Sequence, residues 1–339
     1  MPETSDVALT VRDLRVNFYS EDRCSRVLDG VSFSLRRGRT LCVVGESGCG
    51  KSVTASAITR LLPAWSRIEG GEIILHRETG PLRLDHLESN GPEMRSIRGG
   101  EIGLVFQDPL TALNPVYTAG FQLVEMLRYH KKMGLRAMRA AAVDLLRRMG
   151  MPAPERRVEN YPHELSGGMR QRVIIGMATA CAPKILIADE PTTALDVTVQ
   201  AQILDLLDGL RESHGTALML ITHDIGVAVE RGDEIAVMYM GNIVEAGSVA
   251  DVIGKPAHPY TRALLACLPR LGNGKSQSLR AIPGSPPHAW ERGEGCAFAN
   301  RCSDREHRCV AMPPPVSVGQ AHMARCWKHV PEACNVRDL

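Results

Sequence analysis

The octapeptide Gly45-Glu46-Ser47-Gly48-Cys49-Gly50-Lys51-Ser52 limits what this chain can fold into more than any other stretch. It follows the apolar run Leu41-Cys42-Val43-Val44 and precedes a helix-compatible segment from Ser52 to Leu62. The order is strand, glycine-rich loop, helix, and the spacing is that of the P-loop, G-x-x-x-x-G-K-[ST]. Glycines let the backbone close on phosphate oxygens where a Cβ would collide. The loop amides and the positive end of the helix face the anion. Lys51 is placed to reach the β- and γ-phosphates of a nucleotide, and the Ser52 hydroxyl to bind Mg²⁺. A chance glycine-rich turn would need neither the apolar strand in front nor the Lys-Ser pair behind.

A P-loop belongs to an α/β core, and the rest of the chain supplies one. Leu9 to Phe18 and Val27 to Leu35 alternate apolar and polar residues, as strands of a half-exposed antiparallel sheet do. Glu72 to Leu75 reads as a short strand, and Leu82 to Gly100 as a polar loop. Ile102 to Phe106 is a buried strand that Asp108-Pro109 breaks. From Phe121 to Met149 the apolar positions recur at three and four, which predicts a helical block with a basic exposed face. Further apolar strands end at Asp189-Glu190 and at His223, with an amphipathic helix over Val197 to Arg211 between them. Strands alternating with helices predict a mainly parallel sheet.

Composition narrows the function. The 339 residues suffice for one large domain or two. The 40 basic and 38 acidic residues leave a net charge of +2, which argues against a polyanion-binding surface. Aromatic residues make up only 4%, too few for a nucleic-acid stacking platform. No apolar run approaches the ~20 residues of a membrane span. Met1 to Asp6 lack a basic-then-apolar pattern, so the expectation is a cytosolic chain without a signal peptide.

Four polar residues fall at predicted strand ends, where open α/β sheets bind ligands. Asp189 closes an apolar strand, where a carboxylate can hold Mg²⁺. Glu190 follows as the candidate general base for the attacking water. Gln107 can reach both metal and water, and His223 can hydrogen-bond the γ-phosphate. Each alone would pass as a cap or surface group; in order behind a P-loop they form a set.

With Leu165-Ser166-Gly167-Gly168-Met169 and Ala194-Leu195-Asp196, this set resembles the ABC ATPase family. The resemblance implies an α/β nucleotide-binding domain over residues 8–255, with an N-terminal antiparallel β subdomain and a helical subdomain inserted at about 108–170. It also implies a head-to-tail dimer in which Ser166, Gly167 and Gly168 of one ATPase cover the ATP held by the other. Asp196 would lie at the seam. An aromatic residue ahead of the P-loop stacks on adenine in this family; Phe18 fits that place better than Tyr19, which stays as the alternative.

The downstream sequence sharpens the resemblance. His258-Pro259-Tyr260-Thr261, Leu268-Pro269 and Ile282-Pro283-Gly284-Ser285-Pro286-Pro287 resemble the C-terminal extension of dipeptide/oligopeptide importer ATPases, here residues 256–339. That implies an ATP-hydrolysing importer subunit, peripheral on the cytoplasmic face of the inner or plasma membrane. By Gly50-Lys51-Ser52-Val53-Thr54-Ala55 and Leu165 to Val173 this subunit resembles the first ("D") type of the two ATPases such importers carry. Its partners would be two membrane-spanning permease subunits, a second homologous ATPase completing a heterodimer, and an extracytoplasmic solute-binding protein. Nickel and glutathione importers share the extension and are the alternatives for the solute. The rival from another class is a soluble ABC ATPase acting on nucleic acid; the single ATP domain and the missing basic patch oppose it.

Ten cysteines are present, five of them beyond residue 295. In a reducing compartment such a group suggests a metal more than disulfides. Thiolates at Cys296, Cys302, Cys309 and Cys326 suit an iron–sulfur cluster or zinc, and unligated or disulfide-bonded thiols are the remaining alternative. Cys296-Ala297-Phe298-Ala299-Asn300-Arg301-Cys302 resembles the peptide-importer motif Cys-x-Phe-x-x-Arg-Cys, which implies a [4Fe-4S] cluster. Cys334 is spare. Because these cysteines lie outside the P-loop core, their loss is expected to touch assembly or stability more than ATP binding. For Cys49 two readings stand: a thiolate activated by Lys51 and the helix end, or a buried, inert thiol.

Overall fold

The computed structural model describes residues 6–267 and 282–331. The N-terminal strands β1 (Val7–Ser20) and β2 (Arg23–Arg36) pair antiparallel, and β4 (Ser66–Arg77) and β5 (Gly80–Arg83) complete a sheet of order β2-β1-β4-β5. This is the half-exposed antiparallel sheet that alternation predicts.

The second sheet carries the P-loop. Its strands are β3 (Thr40–Val44), β6 (Ile102–Val105), β7 (Ile185–Asp189), β8 (Ala217–Thr222), β9 (Glu234–Tyr239), β10 (Asn242–Ser248), β11 (Val316–Gly319) and β12 (His322–Ala324). The order is β11-β12-β10-β9-β3-β8-β7-β6, and the five strands from β9 to β6 run parallel. Both faces are covered, which is why these strands read as unbroken apolar runs. In β7, Leu186 and Ala188 join the core under the helices, while Ile185 and Ile187 join the core against the first sheet. Burial of such side chains contributes about 1.5–3 kcal/mol each.

The C-terminal extension is not a separate body. Its hairpin β11-β12 pairs with β10 and finishes the main sheet, with Glu245 opposite Ala324 and Ala246 opposite Met323. Glu245 is fully buried and accepts from the amides of Ala257 (2.7 Å) and His258 (2.8 Å) and from His322 Nε2 (2.8 Å). One carboxylate thus fixes the start of the extension and its last strand. Leu268-Pro269, residues 270–281 and Cys334 lie outside the described residues.

Two expectations need correction. The block from Phe121 to Met149 is two helices, Ala119–His130 and Leu135–Arg148, separated where Gly134 caps the second. The stretch Leu82 to Gly100 is not only loop: it holds the end of β5 and the helix Pro92–Ile97, and Leu84, Met94 and Ile97 are fully buried. Three apolar anchors scattered through a polar segment carry too little periodicity to be seen in sequence.

Candidate active site

In-register parallel neighbours bring the predicted residues to one edge of the sheet. Val44 pairs with Thr222, Asp189 with Ile221, and Val105 with Ala188. The residues that follow, Gly45, His223 and Glu190, with Gln107 one position further, leave the sheet at the same level on strands ~4.8 Å apart.

They converge on one carboxylate. Glu190 Oε2 accepts from Gln107 Nε2 at 3.0 Å and from the Thr193 hydroxyl at 3.0 Å, and stands 3.3 Å from His223 Nδ1. Oε1 lies 3.9 Å from Lys51 Nζ. The Glu190 backbone has φ +45°, uncommon for a residue with a side chain, and its N–H donates to Ile221 O at 2.9 Å. A carboxylate oriented from four sides is suited to hold a water and take its proton. Thr193 is the participant that the sequence did not reveal; its place in the turn after Glu190 was the available signal.

The P-loop is fitted as closely. A Cβ on Gly45 would stand 2.2 Å from Met238 O, so only glycine passes the neighbouring strand. Ser47 and Gly48 form the exposed tip, with Cys49 and Gly50 buried behind them. Lys51 is buried and its ammonium donates to Gly45 O (2.8 Å) and Glu46 O (3.2 Å).

Ser52 hydrogen-bonds Asp189, and Asp189 Oδ1 is buried without a hydrogen-bond partner. Burial raises the Asp189 pKa above the carboxylate range; the Ser52 bond opposes this and the charge of Glu190 adds to it. An orphaned carboxylate oxygen beside a hydroxyl fits a hard cation such as Mg²⁺, with Gln107 as the further oxygen donor.

Cys49 is corrected. Its side chain is buried, and burial raises the thiol pKa; the nearby Lys51 charge, at 3.9 Å from Sγ, only partly opposes that. The inert alternative holds, because desolvation of a thiolate outweighs one neighbouring ammonium.

The Leu165–Met169 stretch sits against a different part of the chain. Ser166 caps the helix Gly167–Thr179 by accepting from Met169 N (3.4 Å), and Asp196 caps Val197–His214 by accepting from Val199 N (2.9 Å). A Cβ on Gly168 would meet Val199 Cγ1 at 2.6 Å, so the two helix starts touch through glycine. The nearest neighbours of Gly167 and Gly168 are thus Leu195 and Val199 of the Asp196 region, rather than the P-loop. Phe18 is half-buried against the core that includes Leu28 and Cys49. Tyr19 is more exposed, donates its hydroxyl to Glu69, and lies under the Arg67 guanidinium (5.6 Å).

Comparison with known proteins gives the same assignment. Residues 28–193 match the family described as ABC transporter, and residues 244–309 the one described as oligopeptide/dipeptide transporter, C-terminal region. A probable peptide ABC transporter ATP-binding protein of Sinorhizobium fredii is 47% identical over 326 residues, covering 96% of each chain. The chain belongs to the ABC transporter family, as an ATP-binding subunit of the oligopeptide/dipeptide type. The dipeptide transport ATP-binding protein DppD of Bacillus subtilis is 44% identical, with 94% of each chain covered. The oligopeptide transport ATP-binding protein OppD of Escherichia coli is 43% identical over 97% of this chain and 96% of its own. Among solved structures, the dimeric ATP-binding cassette MJ0796 in a post-hydrolysis state with ADP and Pi matches with TM-score 0.62 and 28% identity, over 71% of this chain and 98% of that one. The ABC cassette fold and ATPase activity follow.

The extension of this ABC subunit carries the cysteines. Cys296, Cys302, Cys309 and Cys326 are half-buried free thiols. Burial pushes Cys296 up to about 11, and the charges of the other three add to that. Four sulfurs suit a thiolate-bound metal in donor type, although this burial favours the neutral thiol. The thiols are not drawn together, however: among the described residues no group of three or more His, Cys, Asp or Glu is gathered to hold a metal ion.

Proposed function

We propose that this chain is one of two ATPases powering import of di- or oligopeptides, peripheral on the cytoplasmic face of the membrane. The observation that carries the reading is the convergence of Gln107, Thr193, His223 and Lys51 on Glu190, in a chain alike to named peptide transport ATPases over nearly its full length. ATP lies along Gly45–Ser52, with Phe18 as the adenine-stacking residue. Bound Mg²⁺, held by Ser52, Asp189 and Gln107, supplies charge neutralisation at the phosphates. Lys51 exchanges the carbonyls of Gly45 and Glu46 for phosphate oxygens. Glu190, oriented by Gln107 and Thr193, takes the proton of the attacking water, and His223 donates to the γ-phosphate. Ser166–Gly168 and Asp196 serve the second site, across a head-to-tail interface with the homologous ATPase.

Support for a membrane partner comes from an apolar groove of about 370 Å³ beside the Gln107 loop, lined by Leu61, Phe106, Met126 and Tyr129. Leu61, Phe106 and Tyr129 are exposed apolar side chains, suited to a segment from a permease subunit. No helix among the described residues is long and apolar enough to cross a membrane. The test is purification from native membranes and identification of what accompanies the chain. Two permease chains, a second ATPase and peptide-stimulated ATP hydrolysis are expected; recovery with nucleic acid and without permeases would overturn the reading.

The four cysteines are proposed as ligands of a [4Fe-4S] cluster on their number and donor type; binding one would require the thiols to deprotonate and draw together. Anaerobically purified protein should then contain about four irons per chain, the number such a cluster holds. One zinc per chain without iron would refute the cluster.

A further inference from the structure

The cysteine motif has a second face. Between Cys296 and Cys302, Phe298 and Arg301 turn inward, and Arg301 ends on the P-loop. Its guanidinium grips Glu46 with two bonds, Nη1 to Oε2 at 2.6 Å and Nη2 to Oε1 at 2.9 Å, across 255 residues of sequence. The Arg301 side chain is 5% exposed. Its other donors go to Pro283 O (2.9 Å), Gly284 O (3.2 Å) and the Tyr239 hydroxyl (3.3 Å). Phe298 packs edge-on to Tyr239 and against Tyr260, so the guanidinium sits on a rigid aromatic floor.

Glu46 is held on every polar group. Its carboxylate takes Arg301, its N–H donates to the Tyr260 hydroxyl (3.0 Å), and its C=O receives Lys51 Nζ (3.2 Å). The orientation of Glu46 therefore helps to set where the phosphate-binding ammonium stands. A second tie runs parallel. Arg292 donates to Met240 O (2.7 Å) and pairs with Asp29 (2.8 Å), and the next residue, Gly241, donates its N–H to Cys49 O (2.8 Å) inside the P-loop.

We propose that Arg301 is a positioning residue for nucleotide binding. By fixing Glu46 it shapes the first turn of the P-loop, so the cysteine-bearing segment controls ATP affinity from outside the ATP site. This revises the expectation that the segment bears on assembly or stability more than on ATP binding. The inference rests on residues 45–52 being the ATP loop. The side chain is arginine because a planar fork meets both carboxylate oxygens at once, which one ammonium cannot do.

The test titrates the full-length chain with a fluorescent N-methylanthraniloyl ATP. Arg301→Ala and Glu46→Gln should each weaken binding about tenfold, the order expected for losing a charged hydrogen-bond pair. Arg301→Lys should fall between wild type and Arg301→Ala. The double variant Glu46→Gln/Arg301→Ala should bind no more weakly than the poorer single one, because both remove the same contact. Circular dichroism and melting, followed well below each midpoint, keep folding apart from affinity. Should Arg301→Ala not fold, Arg301→Lys and Glu46→Gln decide the matter alone. Wild-type affinity in the folded variants, or additive losses in the double variant, would overturn the proposal. Failure of the wild-type chain to bind the nucleotide would instead remove the ATP reading on which it stands.

Discussion

Lys51 Nζ stands 3.9 Å from Glu190 Oε1, with side chains 4% and 9% exposed. The cation proposed for phosphate and the carboxylate proposed for water thus compensate each other in the interior. A buried ion pair broken on one side leaves an uncompensated charge, at a cost of about 3–5 kcal/mol.

Lys51→Ala should therefore act twice. It removes the charge that meets the phosphates, and it strands Glu190. Nucleotide affinity is expected to drop by about 100-fold, the worth of one charge-assisted contact, and the melting temperature should fall too. Titration and calorimetry on the same sample measure both, and unchanged affinity would exclude Lys51 from the phosphate site.

Glu190→Gln keeps the shape of the side chain and two potential hydrogen-bond partners, Gln107 and Thr193, while removing the base. Turnover should fall by roughly 10²–10⁴, with ATP still bound and the ATP-loaded dimer accumulating in size-exclusion runs. Near-normal hydrolysis would take Glu190 out of the proton transfer.

Asp189 gives a pH signature. Burial and Glu190 hold its carboxyl above the ordinary range, with Ser52 pulling the other way. The folded chain therefore keeps this proton to higher pH than the unfolded chain does. Stability contributed by the protonated form is lost as pH rises from about 4 through the raised value. Asp189→Asn has no such proton to lose, so it should melt higher than wild type at pH 7 and converge with it in acid. A variant that melts lower at pH 7 contradicts the assignment, and Mg-dependent hydrolysis should vanish in either case.

Cys49 should be slow to alkylate. Its thiol is buried and shifted toward the neutral form, whereas Cys24 is exposed. Brief iodoacetamide treatment at neutral pH, followed by peptide mass spectrometry, should find Cys24 modified and Cys49 intact. Comparable labelling of the two would show that the P-loop opens far enough to expose Sγ.

What the sequence disclosed and what it concealed differ in physical kind. Asp189, Gln107 and His223 were legible because each ends an apolar run, and a parallel sheet must align such ends. Thr193 escaped because a turn threonine has no period of its own, and only its nearness to Glu190 in sequence marks it. The fate of Cys49 depended on whether burial or Lys51 prevailed, and only packing decides that. The Arg301–Glu46 grip joins residues 255 apart with no periodicity between them, so it becomes visible only once the extension has folded back. The helix Pro92–Ile97 was hidden for a related reason: Met94 and Ile97 are anchors without neighbours of their own kind in sequence.

The hairpin that pairs β12 with β10 also has a protective side. A sheet edge offers unpaired amides and carbonyls to any other chain, and short, irregular edge strands blunt that hazard. Here β10 is shielded and the outermost strand, Val316–Gly319, is only four residues long. A chain cut after Lys255 would bare β10 along its pairing side. It would also strip Glu245 of the Ala257, His258 and His322 donors that satisfy it. Such a fragment would retain every ATP-site residue from Lys51 to His223, yet it should self-associate through its open edge. The intact chain, with that edge covered, is expected to stay monodisperse under conditions where the cut chain aggregates.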